Sequence, residues 1–136
     1  MQILFLTNLY PPLGNGGYEQ WCQEAAEGLR RQGCPVTVLT SRTGLARLPR
    51  PDPEWVIREL HFEMAFHTRT HSLDFFTRRK AQEAQSLATL ERTLDRVAPD
   101  VAVLWGIGNM ARSPAAPPPK KIPRRGGHCL GGYSAA

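Results

Sequence analysis

The ten residues from Asn8 to Gly17, NLYPPLGNGG, are a Pro- and Gly-rich stretch of the kind that could hold a small polar ligand. Gly16 and Gly17 permit backbone conformations closed to other residues. Their amides precede an amphipathic segment, and the positive end of a helix there would let them approach a phosphate or a sugar hydroxyl. The same glycines could equally do no more than turn the chain. Tyr10, Asn15 and Glu19 place an aromatic ring, an amide and a carboxylate close by. A Walker loop would need GxxxxGK[ST], with Lys on the outer phosphates, but no Lys, Ser or Thr follows Gly17. A dinucleotide fingerprint would need GxGxxG directly after a strand. Here Glu19 stands where the third glycine belongs, and the next strand ends Leu39-Thr40-Ser41-Arg42 without a carboxylate for a ribose. Arg42 could favour a 2′-phosphate, yet the long gap between strand and glycines does not suit that tight turn. A nicotinamide cofactor is set aside, and no other cofactor is implied.

Three further groupings carry less chemistry. His67 and His71 are four residues apart with His61 near, a spacing that could present a metal from a helix, but no Cys lies close and the segment has no clear helical register. No metal site is expected. Arg78-Arg79-Lys80 could meet an anionic acceptor or a membrane surface, or form an ordinary solvated face. Cys22, Cys34 and Cys129 are odd in number and lack CxxC spacing, as reduced thiols of a cytoplasmic protein would be.

The elements that must position the loop follow from periodicity. Ile3 to Thr7 is a continuous apolar run, the pattern of a strand covered on both faces. Tyr18, Trp21, Cys22, Ala25, Ala26 and Leu29 recur as one helical face directed at a core. Gly33 supplies a left-handed stop, Arg30 and Arg31 suit the helix's negative end, and Gly28 inside the helix suggests a close approach to the sheet. Val36–Thr40 reads as a second strand, Ser41–Glu54 as loop, and Trp55–Phe62 as a third strand. Leu73, Phe76, Ala84, Leu87, Leu90, Leu94 and Val97 mark a long second helix ending before Pro99, and Val101–Trp105 a fourth strand. This alternation predicts an α/β fold: a Rossmann-like parallel sheet with flanking helices and right-handed crossovers. With strand order 3-2-1-4, ligands would bind outside the carboxyl ends of strands one and four, between Asn8–Gly17 and Gly106–Asn109. Strand four would be an edge, which predicts self-association through it or instability.

The chain of 136 residues carries a net charge of +5. Five of its 17 Lys and Arg lie after Ala111 (Arg112, Lys120, Lys121, Arg124, Arg125), leaving twelve to balance all 12 Asp and Glu before them. The excess belongs to a tail, so no nucleic acid is expected as partner of the domain. Residues 113–136 are Pro-rich and basic without apolar periodicity, a composition that predicts disorder. Met1 begins a strand and not a signal peptide, and no 18-residue apolar stretch occurs.

The stretch "ILFLTNLYPPLGNGGYEQWCQEAAEGLRRQGCPVTVLTSR" resembles the opening of family 4 glycosyltransferases of the GT-B fold. Pro11-Pro12, Gly16-Gly17, Glu19 and Gly33-Cys34-Pro35-Val36-Thr37-Val38-Leu39-Thr40 carry the likeness, with Cys34 where the family usually has His. "APDVAVLWG" at Ala98–Gly106 is similar to the family's fourth strand, so the likeness spans residues 1–112. The resemblance implies one of two Rossmann-like halves facing a cleft: this half would hold the acceptor, and the missing half the nucleotide sugar. It implies Gly16 and Gly17 as the loop near the donor's phosphates. Tyr10, Asn15, Glu19, Trp105 and Asn109 are candidates for contact with a sugar or lipid acceptor, with a core Trp105 and a helix-capping Asn109 as the alternatives. Glu19 and Glu27 have the spacing of the family's E-x7-E motif but sit on the wrong helix. Trp105-Gly106 stand where many members carry a functional His, so no catalytic residue is implied. The expected protein is therefore an acceptor-side half, inactive alone, cytoplasmic or peripheral at a membrane, whose abrupt change after Arg112 suggests truncation or a frame shift. Reading the coding DNA in its other frames tests the latter. The alternative is a standalone, non-catalytic binding module with a basic partner-binding tail; a dehydrogenase comes third.

Overall fold

The computed structural model describes residues 1–14, 16–61 and 72–107, with the backbone alone for 72–76. The elements run β1 (Ile3–Thr7), α1 (Gly17–Arg31), β2 (Val36–Ser41), a single 3₁₀ turn (Leu45–Arg47), β3 (Val56–Leu60), α2 (Ser72–Val97) and β4 (Val101–Trp105). The four strands form one parallel sheet in the order β3-β2-β1-β4, the α/β architecture that the alternation predicts. The disorder expected of 113–136 and the readings of Asn15, Asn109, Phe62, His67 and His71 lie outside the described residues.

Apolar runs in β1 and β2 become intelligible once both faces of the sheet are seen to be covered. Side chains alternate across a strand. Ile3, Phe5, Val36, Val38 and Val56 point to the α1 side and pack with Tyr10, Cys22, Ala26 and Cys34. Leu4, Leu6, Leu39 and Leu60 point to the α2 side and pack with Leu90. Helices on opposite faces are what right-handed crossovers produce when the chain moves outward through β2 and β3 and then returns past β1 to β4. β3 alternates weakly because its pairing slips: Thr40 faces Arg58 but Ser41 faces Leu60, so Glu59 is an extra residue. That irregularity turns Leu60 to the opposite face from Val56.

α1 closes with a Schellman arrangement. The Cys34 N–H donates to the Leu29 carbonyl at 3.0 Å, and Gly33, at φ +83°, donates to Arg30 at 2.9 Å. Its apolar stripe is only partly used. Cys22 and Ala26 are fully buried and Ala25 and Leu29 pack beside them, whereas Tyr18 and Trp21 are exposed. The expectation that both rings enter the core is corrected. Tyr18 belongs to the first turn, next to the strand ends, and Trp21 lies about 90° around the axis from the middle of the buried stripe. Gly28 does not mark a close approach either: a Cβ there would meet nothing nearer than Arg31 Nη2 at 3.8 Å.

α2 is rotated from the face its leucines suggest. Leu87 and Ala84 are exposed, while Ser86, Thr89, Leu90 and Thr93 face inward. Short hydroxyl side chains can be buried there because each finds a hydrogen-bond partner. Thr93 Oγ1 donates to the Thr89 carbonyl at 2.8 Å, and Ser86 Oγ accepts the His61 N–H at 3.0 Å. Among the described residues no helix is long and apolar enough to cross a membrane.

Candidate functional site

The loop leaving β1 is held from three sides before it reaches α1. The Asn8 carbonyl accepts from the Ser41 N–H and from Thr40 Oγ1, both at 3.3 Å, tying the loop to the end of β2. Asn8 Nδ2 donates to the Gly106 carbonyl just beyond β4. One buried asparagine thus joins the carboxyl ends of β2, β1 and β4. Its Oδ1 is sealed from solvent and has no hydrogen-bond partner among the described residues.

The third anchor comes from β3. Arg58 is 7% exposed and directs four hydrogen bonds at this region. Its Nε and Nη2 form a two-pronged pair with Asp52 at 2.7 and 3.1 Å. Nη1 donates to the Tyr10 carbonyl at 2.9 Å and Nη2 to the Pro11 carbonyl at 2.8 Å. A rigid guanidinium fork can satisfy a carboxylate and two carbonyls at once, which a lysine cannot. The carbonyls fall at the entry to the cis Pro11-Pro12 peptide, so Arg58 fixes where the Pro-Pro segment sits.

Past the prolines the loop narrows to glycine. A Cβ on Gly14 would lie 3.0 Å from both Leu9 Cβ and Glu19 Cγ, and one on Gly16 would collide with Glu19 Oε2. Glu19 therefore bends back along its own helix over the loop, in the position of a capping-box carboxylate, where the helix dipole favours negative charge. Gly16 is extended, at φ −74° and ψ 159°, and Gly17 is not left-handed. The expectation that these two glycines adopt conformations closed to other residues is corrected. What Gly16 supplies is room for Glu19, and what Gly17 supplies is openness, since a Cβ there would meet nothing within 4 Å.

β1 and β4 are neighbours in register from Ile3↔Val101 to Thr7↔Trp105, so their outgoing loops diverge from one point. Trp105 bridges that point to α1: its Nε1 donates to the Tyr18 carbonyl at 2.9 Å, and its ring tilts against Phe5 at 6.2 Å. Gly106, at φ +62°, then turns the chain away. Gly16, Gly17, Glu19 and Trp105 are thereby gathered around the head of α1. The Tyr10 side chain goes elsewhere. It is buried, edge-on to Trp55 at 6.1 Å, with its hydroxyl unpartnered among the described residues. Burial, with Glu27 and Cys22 nearby, raises its phenol well above the usual range. Burial likewise pushes the Cys22 thiol up to about 11.

Asn8, Asp52 and Arg58 are the residues that motif reading passes over. The only trace of them in the sequence is a charge inside a short apolar strand, Val56-Ile57-Arg58, with a carboxylate six residues earlier. Chemically, the site offers N–H groups of the first helical turn that have no intrahelical acceptor, the Glu19 carboxylate, and two aromatic surfaces at its margin. Comparison of the chain with family models, with curated proteins and with solved structures finds no match.

Proposed function

We propose that residues 1–112 are the acceptor-side half of a retaining-type GT-B glycosyltransferase, an enzyme that moves a sugar from a nucleotide-diphosphate sugar to an acceptor hydroxyl. The observation that carries this reading is the open space at Gly17, at the head of α1, beside the paired carboxyl ends of β1 and β4. In open parallel sheets ligands bind outside the carboxyl ends at such a reversal of strand order. The sequence likeness over the same loop supports it independently.

In this reading the first-turn amides of α1 face the donor's diphosphate and stabilise charge as it develops on the leaving phosphate. Glu19 must swing off Gly16 for a phosphate to come close, because two anions cannot share that space. Freed, its carboxylate is within the same turn to accept a hydrogen bond from an acceptor hydroxyl. Arg58 and Asn8 act through the loop by fixing its position.

Two measurements test the reading. The purified 136-residue chain turns over no nucleotide sugar, since the described residues include no donor half. Titration of the isotope-labelled chain with uridine diphosphate and with inorganic pyrophosphate shifts the Gly16 and Gly17 amide resonances, and Gly17→Asp abolishes the shift by adding a second carboxylate at the helix head. Unmoved Gly16 and Gly17 resonances at millimolar ligand, with the fold intact, sink the proposal.

A further inference from the structure

The molecule is covered unevenly: among the described residues, four of the seven exposed large apolar side chains, Tyr18, Trp21, Val101 and Leu104, belong to β4 and the head of α1. Among the described residues β4 pairs with β1 alone, and none of its five residues is buried. Val101 is 41% and Leu104 51% exposed. Trp105 links this strand to the first turn of α1, where Tyr18 is 69% and Trp21 62% exposed with ring centroids 6.2 Å apart. Edge strands in stable monomers are ordinarily blunted by Lys, Pro or an inward charge. Val101-Ala102-Val103-Leu104-Trp105 carries none of these.

We infer that β4 pairs with β4 of a second copy of this chain, antiparallel about a two-fold axis through Val103, to make a continuous eight-stranded sheet. The strand is complementary to itself in that arrangement. Val103 meets Val103, Ala102 meets Leu104, and Val101 meets Trp105, so a small side chain faces a large one on either side of the axis. An axis normal to the sheet also keeps each face continuous. Val103 and Trp105 pack on the α1 side with Phe5, and Val101 shares that face by alternation. Ala102 and Leu104 pair in register with Leu4 and Leu6, which face α2. The two α1 helices then flank the seam on one face, bringing both Tyr18–Trp21 pairs to its border. The uncovered parts of Val101, Leu104, Tyr18 and Trp21 amount to roughly 500 Å² per copy, or about 1000 Å² for the pair, the size at which a specific interface begins.

This inference does not depend on the glycosyltransferase reading, since copies pair or fail to pair whatever the glycine loop holds. Sedimentation equilibrium of the full chain tests it, with circular dichroism as the check on folding. The wild-type chain sediments as a dimer. Ala102→Lys sets a charge against Leu104 of the other copy and weakens the dimer at least about tenfold. The double variant Ala102→Glu/Leu104→Lys sets a carboxylate of one copy opposite an ammonium of the other, once on each side of the axis, and restores it. A wild-type chain that stays monomeric up to its solubility limit overturns the inference, as does a dimer indifferent to Ala102→Lys. A folded double variant that fails to regain the dimer overturns the register.

Discussion

β2 and β4 flank the same central strand, yet one is sealed and the other bare. All six residues of β2 are buried although Thr37, Thr40 and Ser41 carry hydroxyls, whereas β4, apolar throughout, has no buried residue. Composition alone would order them the other way; position decides. β2 has α1 on one face, α2 on the other and a strand on each side, while β4 has, among the described residues, a strand on one side only. The glycine loop sits between these regimes, fastened to the dense side by Arg58 and Thr40 and to the bare side by Asn8 and Trp105. A scaffold that is rigid on one flank and open on the other suits a loop that must hold its shape beside a surface still to be filled.

The largest effects should come from breaking the dense flank at its one buried ion pair among the described residues. Arg58→Met removes the partner of Asp52 and strands the Tyr10 and Pro11 carbonyls, and losing one side of a buried pair costs about 3–5 kcal/mol. Urea unfolding should register a loss of that size in the free energy extrapolated to water. Arg58→Lys should recover only a fraction, because an ammonium cannot reproduce the two-pronged contact. An Arg58→Met variant as stable as wild type would mean that the pair does not anchor the loop.

The contrast itself can be measured with one substitution made twice. Leu39, fully buried in β2, should lose about 2–5 kcal/mol on conversion to Ala, through transfer and cavity terms together. Leu104→Ala in β4 leaves no cavity and should cost within about 0.5 kcal/mol in the monomer. Near-equal losses would show that β4 is covered in solution, and their dependence on protein concentration would say whether a second copy covers it.

How much of this was legible beforehand depends on which force set each feature. The strands, their order and the end of α1 were readable, because apolar runs bounded by turn residues and a glycine after Arg31 are local signals. Faces were harder. Leu87 and Trp21 satisfy a helical period as well as Leu90 and Cys22 do, and only the width of the covering sheet decides which are buried. α2 shows the reverse case, where Ser86 and Thr93 enter the core because their hydroxyls find backbone partners, at His61 and one turn back at Thr89, that no periodicity reports. In the site, the glycines and Glu19 were visible as residue types, but the reason for Gly16 was not. It makes room for a side chain three residues on, a relation of space and not of backbone angle. Arg58 was invisible because its contacts join segments that only the sheet brings together.

A smaller effect separates the flanks by pH. The Cys22 thiol, raised by burial from 9.0 to about 11, stays neutral in the folded chain where the unfolded chain has begun to ionise. The unfolded state then binds fewer protons, so stability falls as pH rises. The loss should set in near pH 9 and be complete near pH 11, with the raised Tyr10 phenol continuing it higher. Cys22→Ala should flatten the fall between those two values in thermal scans, and the native Cys22 thiol should alkylate slowly beside an unfolded control at about pH 8.

The smallest expected changes are at glycines, and they separate backbone need from openness. Gly28 lies within α1 with free space around its α-carbon, so Gly28→Ala should raise stability by about 0.5–1 kcal/mol. Gly33→Ala should lower it by about 1 kcal/mol, because φ +83° is strained for any side chain. Gly17 has free space too, so Gly17→Ala should leave stability unchanged or slightly improved. Its informative readout is elsewhere. If the head of α1 takes a diphosphate, a methyl group there should weaken the amide shifts caused by uridine diphosphate while the melting temperature holds. If those shifts persist undiminished in Gly17→Ala, the openness at Gly17 is incidental, and the glycine pair does no more than carry the chain from the prolines into the helix.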